Sequence, residues 1–269
     1  MASPDEPEST QIQIYTHNIR CDTNKLMENE QPWSTRKYGV IEILQTISQV
    51  SPTLVGLQEV KHNQIKDIFN ILGPEWSYFG VGRDDGETKG EYSPILFKKS
   101  EWELLQGTTY WLSETPNVPS KGWDAAFSRI VTKCIIRHKD SNKIVNFFNT
   151  HYDHRGEQAR EKSSFQIMSL MKDDIDLGTS ILCGDFNSQP QHEAYKTLSQ
   201  SLSETSQCCR GRQGFEHTVT GFTIGKPQSS IDFIWVVPNT KVLLHEVLDN
   251  NYRGVLCSDH RPVRAIIVI

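Results

Sequence analysis

The chain has 269 residues, 36% of them apolar and 23% charged, with a formal net charge of −5. That composition is ordinary for a soluble globular protein with ample chain to bury a core, and no stretch approaches the roughly 20 apolar residues a membrane span requires. The acidic balance argues against a protein held on duplex DNA mainly by phosphate contacts, which is usually basic overall.

The first ten residues, MASPDEPEST, carry two prolines and three acids and no apolar partner. They are expected to form a disordered tail (residues 1–10), followed by one domain over 11–269. Their acidity and the lack of an apolar stretch are not those of a secretory signal, so an intracellular protein, cytoplasmic or nuclear, is expected. The six cysteines, Cys21, Cys134, Cys183, Cys208, Cys209 and Cys257, form no CxxC pair. A reduced compartment suits them better than a disulfide framework.

In chain order, QIQIYTH (residues 11–17) alternates and reads as a strand. Ser34 is placed to cap a helix running to about Val50, and Pro52 ends it. Thr53 to Glu59 reads as a buried strand, and Asn63 to Leu72 as a short amphipathic helix closed by Gly73-Pro74. Four strands follow: Ser93 to Lys98, Trp102 to Leu112, Arg129 to Arg137 and Lys143 to His151. Gly156 to Asp176 carries the longest helical pattern. A strand from Thr179 to Asp185, a helix near Glu193 to Leu202, and strands at Ile231 to Val237, Val255 to Leu256 and Val263 to Ile269 complete the order. QCCRGRQG, with the adjacent Cys208 and Cys209, reads as an exposed flexible loop. This is no regular βαβ alternation, and it suggests two β-sheets flanked by helices.

Five strand ends carry reactive side chains: His17-Asn18, Gln58-Glu59, Asn149-Thr150-His151, Asp185 with Asn187, and Ser258-Asp259-His260. Strand ends hold such groups on a fixed backbone and leave them accessible. Oxygen ligands from Asn18, Glu59 and Asp259 suit a hard divalent cation. Two histidines supply acid–base chemistry near neutrality. No HExxH, CxxC cluster, GxSxG elbow or GxxxxGK[ST] loop is present, which disfavours zinc hydrolases, serine hydrolases and P-loop enzymes.

The segments THNIR, GLQEV, FNTHYDHRGEQAR, LCGDFNSQP, SSIDFIWV and CSDHRPV resemble, in order and over nearly the whole chain, the endonuclease/exonuclease/phosphatase superfamily, which includes deoxyribonuclease I. The resemblance implies an α/β four-layer sandwich, with two mixed β-sheets face to face, helices outside and the site at one end. It implies that Asn18, Glu59 and Asp259 bind Mg²⁺, with Mn²⁺ as a substitute. His260, partnered by Asp232, would activate a water. Asp185 and Asn187 would orient the nucleophile and the scissile phosphate, and His151 would contact the phosphate or act as acid. Tyr92, Arg129 and His154 are further candidates for phosphate or substrate contact. His17, beside Asn18, is expected to face the core. Trp33 and Trp123, in polar loops, are candidates to line the cleft.

The expected activity is Mg²⁺-dependent hydrolysis of a phosphoester, first a phosphodiesterase such as a nuclease. The alternative is a phosphomonoesterase acting on a small phosphorylated metabolite, inositol phosphate or lipid head group. A non-catalytic binding module is a third reading, but none of Glu59, Asp185, Asp232 or His260 is missing. The expected partner is the phosphate-ester substrate, nucleic acid or small molecule, bound by a monomer. Nucleic acid would need a local patch, for which Lys61, Lys66, Lys121, Lys133 and Arg253 are available.

Overall fold

The alternating segment at the start does form the first strand, but every residue in it except Gln11 is buried. Strands covered on both faces belong inside a layered α/β fold. In the computed structural model, which describes residues 9–173, 176–223 and 229–269, the chain runs β1 (Gln11–Asn18), α1 (Trp33–Ile47), β2 (Thr53–Gln58), α2 (His62–Leu72), β3 (Trp76–Phe79), β4 (Ile95–Lys98), β5 (Trp102–Trp111), β6 (Ile130–His138) and β7 (Ile144–His151). It continues through α3 (Glu157–Asp173), β8 (Thr179–Asp185), α4 (Glu193–Ser199), β9 (Ser203–Glu204), α5 (Thr205–Cys208), β10 (Gly211–Gly214), β11 (Asp232–Val236), β12 (Lys241–Val247), β13 (Asn251–Tyr252), β14 (Val255–Leu256) and β15 (Val263–Val268).

Among the described residues, one sheet has seven strands in the order β10-β12-β15-β1-β2-β4-β3, and a second has six in the order β5-β6-β7-β8-β11-β9. Both are mixed: β1 with β2 and β7 with β8 are parallel, while β1 with β15 and β8 with β11 are antiparallel. Three apolar layers account for the stacking. Ile12, Ile14, Leu54, Phe147, Cys183 and Ile267 fill the space between the sheets. Tyr15 and Val55 pack under Val40, Leu44 and Ile68 of α1 and α2. Phe148, Leu182 and Trp235 pack under Ile167, Met171 and Leu198 of α3 and α4. The molecule is therefore the four-layer α/β sandwich, with two mixed sheets between outer helices.

A hydrogen-bonded bridge ties the two sheets together beneath β2. The Asn149 amide on β7 donates to the Leu57 and Pro94 carbonyls, each at 2.8 Å, and accepts from the Gln58 amide at 2.7 Å. Gly56 makes room for this bridge. A β-carbon there would stand 2.5 Å from the Cys183 sulfur and 2.8 Å from the Asn149 amide.

Several boundaries differ from the sequence reading. Helix α1 begins at Trp33 behind Pro32, so Ser34 sits inside the first turn and does not cap it. QCCRGRQG is not a loop: its cysteines close α5, and Gly211–Gly214 pairs in parallel with β12 at the sheet edge. Strand β12 was missed because a bulge between Val242 and Leu244 breaks its alternation. Thr10, assigned to the tail, exchanges both backbone hydrogen bonds with Ile269. Residues 1–8 of that tail lie outside the described residues, as do residues 174 and 175 at the expected end of α3.

Candidate active site

Register alone gathers most of the expected residues. In the parallel pair β1–β2, Asn18 lies opposite Gln58, so Glu59 follows directly at the mouth. In β7–β8, His151 lies opposite Asp185, and Asp232 of the antiparallel β11 lies opposite Asp185 on its other side. These strand ends, one set from each sheet, open into a cleft of about 240 Å³ whose lining includes Glu59, His151, Asp185, Asn187 and His260. Larger cavities exist elsewhere, but this one holds the convergent titratable groups.

One chain of contacts joins the two sides. Asn18 donates through its amide nitrogen to Asp185 Oδ2 at 2.9 Å and Glu59 Oε1 at 3.1 Å, while its amide oxygen accepts from the Arg20 N–H at 3.0 Å. Glu59 adopts a left-handed backbone (φ 60°), a costly conformation for a non-glycine residue, and is held there by the Cys21 N–H donating to Oε2 at 3.0 Å. Burial would raise the Glu59 carboxyl, but the Cys21 N–H, the Asn18 amide and Arg20 hold it below the ordinary range.

On the other side, His260 Nδ1 meets both oxygens of Asp232, at 2.8 and 3.1 Å, and its Nε2 lies 3.9 Å from Asp185 Oδ2. Burial alone would depress His260. The carboxylates of Asp232, Asp185 and Asp259 outweigh it and push the imidazole well above its usual value. Burial and the neighbouring Asp232 charge raise Asp185 to about 7. Such closely placed groups lose protons as a set, so the proton is shared between Asp185 and His260 rather than belonging to one of them. His17 is fully buried, as expected. Its Nε2 meets the His260 carbonyl at 3.2 Å and its Nδ1 the Tyr15 hydroxyl at 3.0 Å.

The Asn187 turn also forms. Its N–H donates to Asp185 Oδ1 at 2.9 Å and its amide to the Tyr152 carbonyl at 3.0 Å, with φ at 45°. His151 Nε2 lies 3.6 Å from Asp185 Oδ2, while its Nδ1 has no hydrogen-bond partner. Burial, then the charges of Arg129 and Arg83, hold this imidazole well below its usual value, so it is neutral.

Arg129 is 5% exposed and lines the cleft. Its Nε pairs with Asp153 at 3.4 Å, its Nη2 donates to His154 Nδ1 at 3.3 Å, and its Nη1 has no hydrogen-bond partner. His154 is exposed at the rim, stacked on Phe127 with centroids 5.7 Å apart. Tyr92 is placed differently. Its hydroxyl donates to the Glu87 carbonyl and contacts His62 Nδ1, both at 3.0 Å, and the ring belongs to the core under α2, so it does not line the cleft. Trp33 is likewise a core residue, 3% exposed and donating to Asp67. Lys133 of the suggested basic patch is 7% exposed on β6, and Arg253 stacks on Tyr252 beside α1, so these two do not form one surface with the cleft.

Sequence reasoning missed Arg20, Arg83, Glu91 and Asp153. Arg83 donates to Glu91 Oε2 at 2.6 Å. Asp153 orders the rim by accepting from the Phe127, Arg155 and Gly156 N–H groups. Arg20, Arg83 and Glu91 sit in loops, where no strand register or alternation marks them. Asp153 lay within the segment FNTHYDHRGEQAR, and its geometry alone sets it apart from its neighbours.

The acids fit a hard divalent ion. Burial, and then the Glu59 charge, push the carboxyls of Glu91 and Asp259 up, with Arg83 acting against this at Glu91 and His260 at Asp259. A cleft lined by Glu59 and Glu91, with Asp259 near enough to feel the Glu59 charge, has the oxygen donors such an ion takes. A second group, Asp185, Asp232 and His260, also lies close enough to share an ion.

The sequence profile of the endonuclease/exonuclease/phosphatase family matches residues 15–260, and the chain belongs to that family of phosphoester hydrolases. A mannosyl-6-phosphatase of Bacteroides thetaiotaomicron is 32% identical, with a TM-score of 0.90 over 96% of this chain and 100% of that one. A family protein of Bacteroides vulgatus is 34% identical, with a TM-score of 0.89 over 96% and 98%. Uncharacterized protein L388 of Acanthamoeba polyphaga mimivirus is 32% identical over 186 residues, 64% of this chain and 68% of that protein. No helix among the described residues is long and apolar enough to cross a membrane.

Proposed function

We propose that the chain is a divalent-metal-dependent phosphomonoesterase acting on a small hydroxylated metabolite such as a sugar phosphate. The observation that carries this reading is the buried Arg129 Nη1, an N–H without a partner on the wall of a cleft of about 240 Å³. A buried donor left unmade costs about 1–3 kcal/mol. A terminal phosphate, with three oxygens, satisfies it and faces Arg83 and Arg20 in the same lining. The net charge of −5 and the burial of Lys133 leave little to track a polymer backbone. The similarity to a mannosyl-6-phosphatase over nearly the full length points the same way.

In this reading Mg²⁺, or Mn²⁺ in its place, is held by Glu59 and Asp259, with Asn18 fixing Glu59. When bound, the ion neutralises charge on the phosphate and the leaving oxygen. The chain's own residues do the rest. The Asp185–Asp232–His260 trio takes the proton of the attacking water and is held in register by β8 and β11. Neutral His151 donates to a phosphate oxygen. Arg129 and Arg83 hold the phosphate, and Asn187 fixes the loop that carries Asp185. A phosphodiester, as in a nuclease, is the second reading. The exposed Phe127 ring at the rim is a surface on which a base could stack.

A hydrolysis panel in Mg²⁺ against EDTA decides between them. It holds hexose phosphates, inositol phosphates, nucleotides, bis-p-nitrophenyl phosphate and single-stranded DNA and RNA. Phosphate release from small monoesters, lost in His260→Ala, is the expected result. Polymer cleavage with monoesters untouched would establish the second reading.

A further inference from the structure

The oxygen-rich face of the cleft also holds a sulfur. Cys21 follows Ile19 and Arg20 in the loop after β1, and Arg20 takes a left-handed backbone (φ 56°). The Cys21 Sγ and carboxylate oxygens of Glu59 and Glu91 all lie within 4.8 Å of one another. All three residues line the cleft. His151, 7% exposed and in the same lining, directs its unpartnered Nδ1 to within 3.8 Å of Glu91 Oε2. Arg83 occupies that same oxygen, at 2.6 Å, and leaves Glu91 Oε1 available. One sulfur, two carboxylate oxygens and a nearby neutral imidazole make a donor set for a thiophilic ion, not for magnesium.

We propose that Cys21, Glu59 and Glu91 form a binding site for a thiophilic divalent cation, Zn²⁺ or Cd²⁺, in the mouth of the cleft. Binding releases the thiol proton of Cys21 to solvent and forms the metal–sulfur bond, with no change of oxidation state. Glu59 is shared with the hard ion of the proposed reaction, so the two ions exclude one another. Zinc thereby acts as an antagonist of magnesium, without touching the Asp185–Asp232–His260 trio. The three donors come from the loops after β1, after β2 and before β4, which is why no spaced motif announced them.

The test is direct binding, with no substrate present, so its failure and that of the phosphatase reading are distinguishable. Cd²⁺ is titrated into the metal-free protein carrying Cys208→Ser and Cys209→Ser, and thiolate-to-cadmium charge-transfer absorbance is followed. One equivalent giving the band, its loss in Cys21→Ser and its weakening in Glu91→Gln are expected, as is a shift of the titration to higher cadmium when magnesium is present. No band, a band that persists in Cys21→Ser, or one indifferent to Glu91→Gln would overturn the proposal. Zinc-edge X-ray absorption of the same protein needs no change at Cys21. One sulfur at about 2.3 Å is expected, and a shell of oxygen and nitrogen alone would sink the site.

Discussion

His260 owes its charge state to one neighbour more than any other. The Asp232 carboxylate is the largest influence raising its pKa, against the burial that would lower it. Asp232→Asn keeps the shape and removes the charge. We expect the His260 pKa to fall, read by NMR titration of the metal-free protein, and kcat to fall by about 10²-fold or more. An unchanged His260 pKa would show that Asp232 is not its partner in solution. Arg129→Ala removes a charge-assisted donor worth about 1.5–3 kcal/mol, so kcat/KM for a phosphate ester should drop roughly 10- to 100-fold. An unaltered value would exclude Arg129 from the phosphate. Asp185, His151 and His260 were legible in the sequence because each ends or adjoins a strand and its residue type has few structural uses there, whereas Asp232 came only from the family resemblance of SSIDFIWV. Tyr92 was misplaced because a tyrosine in a Gly/Pro-rich loop gives no sign of which way it turns, and here it turns inward to His62. Glu91, its immediate neighbour, takes the place in the cleft.

Strands that carry the site must be docked to within an atom's width, and at Gly56 there is no room for a side chain. Gly56→Ala would drive a methyl against Cys183 and the Asn149 amide that bridges the sheets. Overpacking of this kind costs about 1–3 kcal/mol. A lower urea midpoint is expected, and a variant as stable as wild type would show that the sheets separate without strain. Runs such as ILCGD and VNFFNTH identified the buried strands, because both faces are covered and apolar residues outnumber the polar ones, Asn146 and Asn149 among them, short of the strand ends. Lys241–Val247 escaped notice since its bulge puts Leu243 and Leu244 out of alternation, and edge strand β10 carries almost no apolar residue to signal it.

Over the whole molecule, buried titratable groups pull stability in opposite directions with pH. Burial, then Arg212, lowers His245 to about 4, and it sits beside Thr205 and Glu204. Between that value and its unfolded pKa near 6.5, the unfolded chain binds a proton that the fold refuses, so this contribution is lost as pH falls through that window. Asp185, Glu91, Asp259 and Glu204 are raised and act in the opposite sense. The informative quantity is therefore a difference at one site. From pH 7 to pH 5, His245→Gln should gain about 2 kcal/mol relative to wild type in chemical denaturation. A constant difference would place the His245 pKa near its ordinary value. The order β12-β15-β1-β2 has a further consequence, for synthesis. Strand β1 emerges early from the ribosome but pairs on one side with β15, Gln11 against Val268. Until then one edge of a strand that is buried from Ile12 to Asn18 in the finished fold stands open in the middle of an unfinished sheet. Such long-range pairing is slow and exposes sticky surface while it waits. His260, just ahead of β15, joins the cleft at that same late moment. A nascent chain would thus need shelter for β1 during most of its translation, and would acquire its chemistry only as the last strand slots home.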